Sequence, residues 1–140
     1  MAEGAEAKRE TAPATGPDLS EVRSWVGGRL DAIGGTSVGK LDGAYVDEES
    51  ERPEWLVVRL GRFGQRALVP AREAVGGVGR VWIPYHQDAI KRAPKVDTRA
   101  PLSRGREQEL LAHYGIAAEV GRAAELAARD PDAITAHRLT

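Results

Sequence analysis

Glycine cuts the middle of this chain into short pieces. Eleven of its sixteen glycines fall between Gly27 and Gly79, and the runs between them are short and rich in bulky or β-branched residues. Glycine takes the positive-φ conformations that tight turns need, so this spacing predicts strands joined by hairpins. Parallel neighbours would need crossovers of about a dozen residues, and the intervals leave no room for them. The expected architecture is mainly β: a small barrel or sandwich of five to six strands.

The alternation places the strands at Trp25–Ile33, Thr36–Asp47, Glu54–Leu60, Gln65–Pro70 and Arg80–Pro84. Gly34–Gly35 is a hairpin signal between the first two. The acidic run from Asp47 to Pro53 reads as a turn, because its charges favour water and proline cannot donate to a ladder. In the third strand Trp55, Val57 and Arg59 face one way, and Leu56, Val58 and Leu60 the other. Gly76-Gly77-Val78-Gly79 reads as a further turn, and a short helix over His86–Lys91 follows the last strand.

The flanks have a different texture. Residues 1–18 hold no large apolar side chain after Met1, so they read as a disordered tail. Residues 19–93 form the barrel domain and 94–103 a linker. Residues 104–140 read as a helical extension. There Ser103 offers an N-cap, Leu110, Leu111 and Tyr114 a stripe, and Gly115 with Ile116 a Schellman-type end. An Ala-rich second helix over 117–129 stops at Asp130–Pro131. Isolated helices of about 11 residues are marginal in water, so the first must pack on something. Trp55, Trp82 and Tyr85 supply apolar surface, either on its own barrel or on that of a neighbour in a homodimer. Monomer and homodimer both stay open.

With no cysteine, disulfides, thiolate metal sites and thiol catalysis are excluded. A net charge of −1 gives no global field for nucleic acid or acidic lipid. No apolar run approaches the ~20 residues of a membrane span, and the N-terminus lacks the apolar core of a secretory signal. The expected location is the cytoplasm, with peripheral membrane association left open.

Candidate chemistry is sparse. Gly34 to Lys40 has the glycine and lysine spacing of a phosphate-binding loop, but Leu41 stands where magnesium needs Ser or Thr. Asp47, Glu48, Glu49 and Glu51 lack the ligand spacing of a calcium loop. His86, His113 and His137 are far apart in sequence, and no serine sits in a nucleophile elbow. No cofactor, metal or enzymatic activity is expected. Charge is unevenly spread. Residues 42–54 carry six acids and one arginine, whereas between 55 and 80 Arg59, Arg62, Arg66, Arg72 and Arg80 face one acid, Glu73. Arg59, Arg62, Phe63, Arg66, Trp82 and Tyr85 are the candidate interaction surface, for a protein first and nucleic acid second. The bland alternative is a solvated face, since arginine outnumbers lysine sixteen to four throughout.

The run from Thr36 to Ile83 resembles a PRC-barrel domain. The likeness rests on "VGK" at Val38–Lys40, "YVD" at Tyr45–Asp47, "LVVRLG" at Leu56–Gly61 and "ALVP" at Ala67–Pro70, and spans about residues 22–93. "EQELLAHYGI" at Glu107–Ile116 is similar to a tail that follows such domains in small bacterial proteins. The family includes the cytoplasmic domain of the photosynthetic reaction-centre H subunit and the C-terminal domain of a ribosome-maturation factor. The resemblance implies the barrel and no catalytic residues. The implied role is a non-catalytic adaptor docking onto another protein or assembly. The alternatives are an RNA- or ribosome-associated assembly factor and a regulator of membrane electron transfer. Neither the H subunit's membrane helix nor the maturation factor's preceding domain is expected here, so the chain is expected to match neither role in full.

Overall fold

A computed structural model of the chain describes residues 16–61, 64–116 and 129–139. Its elements run α1 (Leu19–Trp25), β1 (Arg29–Asp31), β2 (Ser37–Asp47), β3 (Pro53–Leu60), β4 (Gln65–Pro70), β5 (Val75–Gly77), β6 (Arg80–Trp82), α2 (Gln87–Lys91), β7 (Leu102–Ser103), α3 (Arg104–Tyr114) and β8 (Ile134–Arg138). The fold is mainly β.

The eight strands form one mixed sheet in the order β4-β3-β2-β1-β6-β5, with β8 pairing β2 and β7. It does not close: no ladder joins β4 to β5. That corrects the expected barrel, and β4 shows why its edge can stay unpaired. Pro70 has no N–H to offer a further strand, and the Tyr114 hydroxyl of α3 donates to the Leu68 carbonyl at 2.6 Å. A helix thus takes the place of a neighbouring strand.

Long β2 organises the sheet. One edge pairs with β3 over most of its length; the other pairs with β1 near Lys40 and with β8 at Tyr45–Asp47. Gly34 and Gly35, both at positive φ, make the hairpin turn into β2, so the glycine–lysine run opens a strand rather than a phosphate-binding helix. β1 and β6 run parallel, the one departure from antiparallel pairing.

The interior face carries Leu30, Leu41, Leu56, Val58, Val69 and Val81, all fully or almost fully buried. The sequence expectations differ from the structure at several points. The first strand, expected over Trp25–Ile33, is only Arg29–Asp31, and Leu19–Trp25 before it form a helix. The Asp18 carboxylate accepts from Glu21 N–H while Glu21 accepts from Asp18 N–H, a capping box. α1 buries Val22 and lays Trp25 over Gly76, where an added Cβ would come within 2.0 Å of the indole. Gly76–Gly77, read as turn, belongs to β5. Residues 16–18 are not tail: Pro17 is buried, and Arg52 donates to the carbonyls of Gly16 and Pro17 at 3.2 and 3.3 Å. The reading of 1–15 as disordered lies outside the described residues.

Residues 94–103 are no free linker. The Tyr45 hydroxyl, buried beneath them, donates to Ala100 O at 2.7 Å and also meets Asp97 O, while Arg138 donates to Thr98 O. α3 follows with its expected caps: Ser103 accepts from Arg106 N–H, and Gly115 is left-handed while Ile116 N–H donates to Leu111 O. The Ala-rich helix expected over 117–129 lies, apart from Arg129, outside the described residues. Beyond it the extension returns as strand β8, not helix. Among the described residues no helix is long and apolar enough to cross a membrane.

Candidate functional site: a basic row across the sheet

Cross-strand register assembles the most distinctive surface of the molecule. Arg66 pairs with Arg59, Arg59 with Lys40, Lys40 with Arg29, and Arg29 with Arg80. Directly paired residues share a face, so five cations stand side by side across β4, β3, β2, β1 and β6. All five are exposed. At the far end Gly77 pairs with Arg80 and leaves space that the Trp82 ring occupies, with the Arg80 guanidinium 5.5 Å from the ring centre.

The ends of the row meet acids and its middle does not, although at one end a single carboxylate serves two guanidiniums. Buried Asp31 takes Arg29 in two contacts of 3.0 and 3.3 Å and Arg80 at 3.4 Å. Arg66 donates to Asp42 at 2.6 Å. Lys40 and Arg59 have no acidic partner among the described residues. With Arg29 they line a groove of ≈ 590 Å³, whose other walls include Ser37, Gly39, Gly61 and Gly64. Gly39 cannot be replaced there, because a Cβ would lie 2.1 Å from the Arg59 carbonyl oxygen.

Of the residues expected to form an interaction surface, Arg59, Arg66 and Trp82 belong to this row. Arg62 and Phe63 lie outside the described residues. Tyr85 sits elsewhere, half-buried against Tyr114 with ring centres 5.0 Å apart. Burial pushes its phenol up from the ordinary tyrosine range, helped by the nearby Glu73 charge. Trp55, expected as exposed apolar surface, is buried and donates to Glu107 at 3.1 Å. Arg72, half-buried beside Gly16, stands apart from the row. Arg29 and Lys40 complete the row and escaped the sequence reading: they come from a different stretch of chain, and only strand register joins them to Arg59.

The other polar features fold inward or locally. Asp47 accepts from Glu49 and Ser50 N–H, forming the acidic turn itself. His113 Nε2 contacts Ala89 O at 2.7 Å, tying α3 to α2, and His137 contacts Glu48 across β8 and the turn. No three His, Asp or Glu side chains among the described residues converge as a metal site.

Compared with models of known protein families and with curated proteins, the chain matches none.

Proposed function

We propose that this chain is a non-catalytic adaptor, similar in sequence to PRC-barrel domains although its sheet stays open, that docks an acidic protein partner on its basic row. The observation that carries this reading is the adjacent pair Lys40 and Arg59, two exposed cations with no acidic partner among the described residues, held side by side on paired strands β2 and β3. Fixed cations of this kind steer encounter and set register more than they add raw affinity. Val26 and Val78 are exposed in two abutting turns beside Arg29 and Arg80. Aliphatic side chains next to cations suit a protein surface better than a phosphate backbone.

The test is a photo-crosslinking residue at Ser37, which lines the groove, against the same residue at Ser50 in the distal acidic turn. Ser37 is expected to capture a discrete acidic protein that Ser50 does not. Lys40→Glu with Arg59→Glu should abolish that product. Crosslinks independent of these charges would overturn the reading. RNA is the second reading, favoured by Trp82, whose exposed ring at the end of the row could stack a base. It requires crosslinked nucleic acid and an affinity that falls steeply with salt.

A further inference from the structure

We infer that the element received by the row is an acidic, amphipathic α-helix lying across β3, β2 and β1, with its axis perpendicular to the strands. This rests on the docking reading above and names the partner's shape. Three observations lead to it.

The first is pairing. β1, β2 and β3 each have neighbours on both sides at the row: β6 and β2, β1 and β3, β2 and β4. An incoming segment has no free strand edge there to pair with. It must lie on side chains alone, and an extended peptide would leave its own backbone groups unpaired on that face. A helix satisfies its backbone internally.

The second is spacing. Neighbouring strands are about 4.8 Å apart, so the three groove cations Arg59, Lys40 and Arg29 span ~10 Å at the backbone. Carboxylates on successive helical turns repeat every ~5.4 Å and cover ~11 Å over the same three positions. Carboxylates on one side of an extended peptide repeat every ~6.6 Å and cover ~13 Å. Across all five strands that mismatch grows to ~7 Å, while the helix stays within ~3 Å.

The third is the border of the row. Gly28 packs against Gly79 and Arg29 N–H donates to Gly79 O at 3.0 Å, so the turns bearing Val26 and Val78 meet at its edge. A helix with acids along one stripe can carry apolar residues on the adjacent stripe, and these two exposed valines lie beside the β1 end of the row.

The experiment uses the full ¹⁵N-labelled chain and four probes. These are an Ala-based helical peptide with Glu spaced alternately four and three residues apart and Leu beside it, the same composition scrambled, an extended Glu–Thr alternating peptide, and polyuridylate. The helical peptide is expected to shift the amides of Arg29, Lys40 and Arg59 and to bind about ten-fold tighter than the scramble. Lys40→Glu with Arg59→Glu should remove that preference while the remaining spectrum stays folded. Equal or tighter binding by the scramble, the alternating peptide or polyuridylate at the same residues overturns the helix and leaves an anion-docking face. If no probe shifts these amides and Ser37 crosslinks no acidic protein, the helix and the docking reading fall together.

Discussion

Trp55 and Arg59 stand on the same face of β3, four residues apart, and their surroundings are opposite. At Trp55 the face is roofed. α3 brings Glu107 to the indole N–H, and Tyr114 stacks at a tilt 6.3 Å from the ring. Val57 and Leu68 beside it are fully buried. At Arg59 the roof has ended and the side chain faces a groove with two other cations. The strand does not change character between these points; its cover does. One end of the face is used for stability, where polar groups are paired and apolar area is removed from water. The other holds charge in the open, which contributes little to stability and leaves it free for a partner.

The sharpest way to break this comparison is to remove what both ends share. Val58→Asp puts a carboxylate into the fully buried interior face beneath both. An unpaired buried charge costs several kcal/mol, so the cooperative far-ultraviolet melting transition should disappear. Tyr114→Ala removes the roof alone. Losing a buried aromatic costs about 3–5 kcal/mol, and the indole fluorescence of Trp55 should shift to the red as water reaches it. The double change Lys40→Glu with Arg59→Glu should move the melting midpoint least, within about 0.5 kcal/mol in free energy, because neither side chain has an acidic partner among the described residues. If it unfolds the protein, the open end was structural after all.

A pH titration sharpens the contrast further. Burial holds the Tyr114 phenol well above the ordinary tyrosine range. A group whose folded pKa is raised stabilises below its unfolded pKa and loses that contribution as pH rises. Stability should therefore fall once pH passes about 10, by up to about 1.4 kcal/mol per pH unit while the folded phenol keeps its proton. Tyr85 and Tyr45, also raised by burial, act in the same direction. In Tyr114→Phe the alkaline slope should become shallower, although the lost hydrogen bond to Leu68 costs about 1 kcal/mol at neutral pH. An unchanged slope would mean that other groups govern alkaline unfolding.

Much of the sheet was legible from local signals. Alternation and glycine turns located β2, β3, β4 and β6 to within a residue or two, and the caps at Ser103 and Gly115 bounded α3. What escaped was decided by contacts distant in sequence. Gly76 reads as turn because nothing local says that Trp25 will cover it. Ile134–Arg138 is too short to announce itself as a strand without β2 beside it. Leu19–Trp25 carried its signal in the spacing of Asp18 and Glu21, a capping pair that the strand reading from Trp25 onward did not use. The basic row was half legible: Arg59, Arg66 and Arg80 stood out as unopposed charges. Lys40, at the centre, looked like the end of a phosphate-loop pattern until register set it between Arg59 and Arg29.

The pairing of β8 with β2 has a consequence for how the protein comes into being. Tyr45 meets Arg138 across a ladder whose two sides are about ninety residues apart in the chain. As the chain is synthesised, β2 can zip to β1 and β3 early, yet half of one edge stays bare until Ile134–Arg138 emerges. The Tyr45 hydroxyl must likewise wait for the 97–100 segment. Assembly is thus split into a fast hairpin stage and a late docking stage that closes a very long loop. In the interval the nascent protein carries an open strand edge, and this is when it is most exposed to mispairing with other chains.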